Sequence, residues 1–393
     1  MQPGEKFGRM VAGQSTLTGA HKMQRRNVVK TLGVGGLAAG AVASTFPKPA
    51  ISQNRQQWRM VTTWPANFPG LGTGANLLAE LIGRMSEGRL TIQVFGAGEI
   101  VPAFESMDAV ASGTVEMGHG APYYWQGKIP AAAFIAVIPF GLTAQEQNAW
   151  FYHGGGQQLA DKVYAEMGTK FFPSGNTGTQ MPGWFNKEIN SLSDFEGLRY
   201  RLPGLGGKVA AAAGATVVNL PGGELPQALQ SGAIDAVEWV GPYNDLAFGL
   251  YRSAQYYYYP GWHEPATVLD NFINLDAWNS LDSELQAIVE AANMAVNVSV
   301  LSEFVARNND SLETLINDHG VQLRRLSDEV LIGLGNLAGE VLNDEASADP
   351  LAREVMDSLL TFRESAMNWA GISEQAFMAA RLLDYQYAEP SAG

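Results

Sequence analysis

Cysteine is absent from this 393-residue sequence. Its absence excludes disulfides, thiolate catalysis and cysteine-ligated metals together. It also leaves an exported chain nothing to oxidise. Histidine is scarce: His21, His119, His153, His263 and His319 are scattered, and none lies four residues from another. The metalloprotease H-E-x-x-H, the phosphate loop G-x-x-x-x-G-K-[ST] and the nucleophile elbow G-x-S-x-G are missing. Gly204-Leu205-Gly206-Gly207 superficially resembles a dinucleotide loop but lacks the third glycine at the required step, so it reads as a turn feeding a helix. Most enzyme constellations are thereby excluded.

The charge that is present is uneven. Residues 1–52 hold seven Lys/Arg against one acid, so the chain's net −14 resolves into +6 there and −20 over the rest. A body that acidic repels nucleic acid and anionic membrane, which need clustered basic residues. Any anionic ligand requires a local cation to override that field.

The basic segment reads as an address. Arg25-Arg26-Asn27-Val28-Val29-Lys30 precedes a Gly/Ala-rich apolar stretch, Thr31 to Ser44, with small residues near Ala41-Val42-Ala43. This is the pattern of a secretory signal of the twin-arginine type. Met23 offers an alternative start, and cleavage is expected between about residues 43 and 53. The apolar run is shorter than the roughly 20 residues a spanning helix needs, and no later stretch is expected to reach that length.

The rest predicts an α/β protein of two lobes, with mixed or parallel sheets, hinge strands and a helical C-terminal region. Lobe 1 is expected over 53–180, lobe 2 with the hinge crossings over 181–275, and C-terminal helices over 276–393. Strand patterns run Arg59–Trp64, Leu90–Phe95, 114–118, Leu198–Arg201, Thr216–Leu220 and Ile234–Val240, with helices between. Asp108 to Met117 reads D-A-V-A-S-G-T-V-E-M and Gln227 to Ala236 reads Q-A-L-Q-S-G-A-I-D-A, which suggests one topology used twice. Ligands of such sheets bind at the carboxyl ends of the strands, here the cleft between lobes. Residues 281–308 form a helix apolar all round, expected to be buried against a second subunit or under the remaining C-terminal helices.

Several residues could carry the chemistry. Arg201 stands at a strand's carboxyl end, where a planar guanidinium fits a carboxylate. Gln180, among small residues, either orients a carboxylate or satisfies nearby backbone. Glu238 ends an otherwise buried strand beside Trp239, and Glu264 lies on a loop. Two carboxylates with a main-chain carbonyl make a hard-oxygen cation site; the alternative for Glu264 is a solvated loop acid. Tyr123-Tyr124-Trp125 and Tyr256 to Tyr259 suit a cleft wall or a core.

On E-M-G-H-G-A-P-Y-Y-W (116–125), Q-M-P-G-W-F (180–185), R-L-P-G-L-G-G (201–207), A-I-D-A-V-E-W-V-G-P-Y-N-D (233–245) and Y-Y-Y-Y-P-G-W-H-E (256–264), the sequence resembles the solute receptors of tripartite ATP-independent periplasmic (TRAP) transporters. The branch it is similar to takes 2-oxo acids such as pyruvate, with a lactate-binding relative. The resemblance covers essentially the whole chain after the address. It implies that Arg201 clamps the ligand carboxylate and Gln180 hydrogen-bonds it. It further implies that Glu238, Glu264 and the Trp239 backbone hold Na+ or Ca2+, and that Tyr123 or Tyr124 lines the opposite lobe. Implied partners are a large and a small membrane permease subunit, and a second copy joined through the long C-terminal helix. The rival classes are a receptor for another organic anion or a sugar, and a Tat-exported enzyme.

Overall fold

A computed structural model describes residues 55–388. The address over 1–52 lies outside the described residues. Strands alternate with helices from the start because apolar period-two runs are punctuated by Gly turns and period-3.6 runs. The helix Gly72–Met85, for example, buries Ala75, Leu78 and Ile82.

Two sheets result. The first holds β1 (Gln56–Thr62), β2 (Leu90–Phe95), β3 (Met117–Gly120), β4 (Thr169–Asn176) and β10 (Val268–Asn274), in the order β2-β1-β3-β10-β4. The second holds β5 (Gly183–Phe185), β6 (Arg199–Arg201), β7 (Thr216–Val218), β8 (Ala236–Val237), β9 (Tyr256–Tyr259) and β11 (Gln322–Arg325), in the order β11-β9-β5-β8-β6-β7. β1 is parallel to β2 and β3, as β6 is to β7 and β8. In each sheet the next strand, β10 or β5, runs antiparallel. The repeated decapeptide therefore marks a real correspondence: Gly113 (φ 71°) and Gly232 (φ 70°) close equivalent helices before β3 and β8.

The sheets are joined by two neighbouring crossings, 177–182 from β4 to β5 and 260–267 from β9 to β10. The crossings hydrogen-bond to each other, Thr177 N to Thr267 O at 3.1 Å and Gln180 N to Glu264 O at 3.1 Å. β10 thus belongs to the first sheet although it falls in the 181–275 span. β11 likewise adds a strand to the second sheet from within the C-terminal region. Expected boundaries shift elsewhere. The strand expected over Ile234–Val240 is only Ala236–Val237, because after Glu238 N bonds Arg201 O at 3.0 Å, the Glu238 carbonyl is taken by the Arg201 side chain.

The long helix is Ser283–Asn317, started by the Asp282 side chain accepting from Leu285 N. It is not buried all round. Leu285, Val289, Val296, Val300 and Phe304 form a buried face, whereas Met294, Val298 and Val305 are exposed. Contrary to the sequence expectation, this helix is long and apolar enough to cross a membrane. Its buried face carries Asn297, whose Nδ2 donates to Asn148 Oδ1 at 2.7 Å and whose Oδ1 accepts from Gly175 N at 3.2 Å. Such bonds to the first lobe mark a core helix rather than a lipid-facing one.

Gly183 opens β5 at φ +111°, and a Cβ there would lie 2.1 Å from the Val237 carbonyl oxygen. Gly183→Ala is expected to destabilise the fold by about 3 kcal/mol or more, read as a lower urea midpoint.

Candidate ligand and cation site

The carboxyl ends of β1, β3, β6 and β8 face one cleft, and the two crossings run behind it. Arg201 ends β6 and is 1% exposed. Its Nη1 donates to Glu238 Oε2 at 2.9 Å and to the Glu238 carbonyl at 2.7 Å, and its Nε donates to the Leu220 carbonyl at 3.2 Å. Its Nη2 is buried without a partner. Leaving such a donor unsatisfied costs about 1–3 kcal/mol, so it is poised for an acceptor.

Glu238 follows β8, and Glu264 lies on the second crossing; both are buried rather than solvated. Carboxylate oxygens of these two and a ring nitrogen of His263 all lie within 4.8 Å of one another. Glu238 Oε1 has no hydrogen-bond partner. Burial pushes the Glu238 carboxyl well above the usual range, against the pull of Arg201. Burial and the Glu238 charge push Glu264 up to about 8. Two buried carboxylates facing one guanidinium hold a surplus negative charge, which a proton or a bound cation must neutralise.

Gln180 sits on the first crossing, also buried. Its Nε2 donates to Thr177 Oγ1 at 3.0 Å and Thr267 Oγ1 at 3.1 Å. Those hydroxyls spend their own protons on Gly178 O and Glu264 Oε2, so the amide group facing them has to be the donor. The Gln180 Oε1 is then the free atom, and it is unpartnered. A free carbonyl oxygen cannot hydrogen-bond a carboxylate, but it is a good cation ligand. The polarity is opposite to the one the resemblance implied.

Tyr123 and Tyr124 lie in the short turn Pro122–Trp125 just after β3. Burial raises both phenols, and Arg201, Glu238 and Glu264 act on each, so the first lobe presents them to the same spot. Tyr123 also packs on Gly204 at the start of the second-lobe helix Gly204–Ala212, where a Cβ would lie 3.2 Å from the Tyr123 Cβ. The Trp239 ring lies 5.4 Å from the Arg201 guanidinium and 6.2 Å from Trp64 and Phe68 of the first lobe. These cross-lobe contacts describe a closed cleft. All seven side chains singled out in the sequence, at 123, 124, 180, 201, 238, 239 and 264, are brought together.

His263 was missed. No other histidine stands near it in sequence, yet it is fully buried and faces Glu238. Burial lowers its ring to about 4. The only available signal was adjacency to Glu264 in Trp262-His263-Glu264. Thr177 and Thr267, which orient Gln180, carry no pattern at all, since crossings of distant segments create their meeting.

Comparison with known proteins identifies the family. A family described as DctP, bacterial extracellular solute-binding protein family 7, matches residues 60–344. A monocarboxylate 2-oxoacid-binding periplasmic protein of Nostoc sp. is 42% identical over 358 residues, covering 90% of this chain and 98% of that protein. A TRAP periplasmic solute-binding protein of Pseudoalteromonas atlantica, solved with sodium and pyruvate, is 39% identical at a TM-score of 0.81, covering 84% of this chain and 100% of that one. One from Colwellia psychrerythraea, solved with calcium and pyruvate, is 41% identical at a TM-score of 0.81, with 83% and 99% covered.

Proposed function

Because the chain belongs to family 7 of the bacterial extracellular solute-binding proteins, we propose that it is the periplasmic receptor of a TRAP transporter. It takes a small monocarboxylate, a 2-oxo acid such as pyruvate or a 2-hydroxy acid such as lactate, together with a cation. The observation that carries this reading is the convergence of one unpaired guanidinium nitrogen with unpaired oxygens of Glu238 and Gln180. The relatives' sodium, calcium and pyruvate support it.

Arg201 Nη2 receives a carboxylate oxygen of the ligand, while Nη1 stays locked on Glu238. Glu238, Glu264 and the Gln180 carbonyl hold the cation, with the Trp239 backbone as a further oxygen donor. A bound cation cancels the surplus acid charge and offers the ligand's oxygens a second partner. Tyr123 and Tyr124 close the opposite wall and exclude water, which strengthens each ionic contact. The lobes open and close about the crossings 177–182 and 260–267. The signal over 1–52 delivers the chain to the periplasm, and the closed form is offered to the large and small permease subunits.

A thermal-shift screen tests the ligand class. Pyruvate and lactate raise the midpoint by several degrees in the presence of Ca2+ or Na+ and by far less after EDTA and desalting. A larger shift with a sugar would overturn the assignment.

The chain also pairs with a second copy. Supporting this, large apolar side chains are exposed in two places, Trp369 (64%), Ile372 (75%) and Leu382 (84%) near the C-terminus, and Met294, Val298 and Val305 on the long helix. Large apolar side chains exposed in that number favour an interface. Light scattering of the mature chain gives twice the monomer mass, and deletion of residues 366–393 halves it. A monomer mass with the tail intact would sink the dimer.

A further inference from the structure

We propose that His119 is a positioning residue for ligand capture, holding the Trp64 ring where it meets Trp239 across the closed cleft. The proposal rests on the receptor reading above and adds to it a determinant of lobe closure that lies behind the cleft wall.

His119 stands between Gly118 and Gly120 on β3 and is fully buried. Its hydrogen bonds leave its ring one arrangement of protons. An indole nitrogen can only donate, and Trp64 Nε1 donates to His119 Nδ1 at 2.9 Å. The ring proton therefore sits on Nε2, which donates to the Ser174 carbonyl of β4 at 3.2 Å. Burial lowers the ring to about 4, so at neutral pH it is uncharged and Nδ1 stays an acceptor. The His119 carbonyl accepts from Thr63 N at 3.0 Å, so side chain and backbone both hold the segment that leaves β1. The Trp64 carbonyl is held as well, by Thr62 Oγ1 at 2.9 Å and Ala97 N at 2.8 Å.

These bonds fix the edge of one ring. Trp64 stands T-shaped to Trp239, with centroids 6.2 Å apart and planes at 77°, and lies 6.2 Å from Tyr124. The Trp239 ring in turn lies 5.4 Å from the Arg201 guanidinium. Trp64 belongs to the first lobe and Trp239 to the second, so their contact forms only when the lobes close. A contact present in one of two states shifts the equilibrium toward that state, and apparent affinity follows the fraction of chains that are competent. Without His119 the indole N–H is buried with no acceptor, and the ring turns away from its edge-to-face geometry. A histidine that only filled the core would alter stability and leave ligand release untouched.

The test uses the mature full chain with Ca2+ and follows release of radiolabelled pyruvate in a filter-binding chase. His119→Leu is expected to release pyruvate about tenfold faster, while its Ca2+ affinity without pyruvate keeps the wild-type value. His119→Asn retains an acceptor near the Nδ1 position and recovers most of the loss. Trp64→Phe removes the indole N–H and speeds release by a similar factor, and adding His119→Leu to it changes the rate by less than about twofold. Release at the wild-type rate from a folded His119→Leu protein overturns the proposal, as do losses that multiply in the double variant or a fall in Ca2+ affinity to match. Where His119→Leu does not fold, release from Trp64→Phe at the wild-type rate overturns it instead. Failure of the receptor reading looks different: the wild-type chain then retains no pyruvate, and both readings fall.

Discussion

Arg201→Ala lowers pyruvate affinity at least a hundredfold in isothermal titration calorimetry while the protein stays folded. The loss follows from two features of the side chain. Its Nη2 is the one unpaired guanidinium nitrogen in a cleft sealed by Tyr123, Tyr124 and Trp239. Truncating one partner of a buried, charge-assisted contact costs about 2–5 kcal/mol, and about 2.7 kcal/mol is already a hundredfold. Folding survives for a separate reason. Removing the guanidinium strips Glu238 of its ion pair, which ordinarily costs about 3–5 kcal/mol when the stranded charge remains. Burial already holds the Glu238 carboxyl above its usual range, so it takes up a proton instead of remaining charged. Arg201→Lys separates charge from geometry. It keeps a cation but loses the fork that serves Glu238 and the ligand at once, so its affinity falls between the two. Wild-type affinity in a folded Arg201→Ala protein would remove the clamp from the account.

How much of this was legible in the sequence depends on whether the determinant is local. The shared topology of the lobes was readable because each helix ends in Ser-Gly, with the glycine at positive φ before a central strand, and both sheets place that strand next to the lobe's first one. Arg201 and Glu238 were readable because charge at the end of a buried strand demands a reason. The crossings were not, since Thr177 meets Thr267, and Gln180 meets Glu264, over nearly ninety residues of chain. That is why the polarity of Gln180 came out reversed and why His263 went unseen. Strand β11 was hidden for another reason: Gln322-Leu323-Arg324-Arg325 is polar, and it pairs because β9 offers it an edge. The long helix was legible only in part, because composition counts apolar residues without saying which are covered. Val298 is 61% exposed and Val305 71%, so the remaining C-terminal helices do not cover them, and of the two expected coverings only a second subunit is left for that face.

Cation binding is expected to tighten about tenfold per pH unit up to pH 8 and then level off, because Glu264 must lose a proton to bind. In the cation-free fold this carboxyl is raised to about 8, against an unfolded value near 4.3. A folded value above the unfolded one contributes stability that is complete below about pH 4.3 and is lost as pH rises through about 8. The stripped protein therefore melts at progressively lower temperature across that window. Added cation opposes the fall, replacing the proton as the neutralising charge. Glu238, pushed in the same direction, adds to the slope rather than cancelling it. Glu264→Gln should reduce the pH dependence of the stripped protein to the share that Glu238 supplies, since the amide is neutral throughout, and weaken cation binding at least a hundredfold. Calorimetry at pH 7 in two buffers of different ionisation enthalpy reads the same linkage directly, as about one proton released per ion bound. Zero release, with an affinity indifferent to pH, would mean that the two buried carboxylates are not where the cation sits.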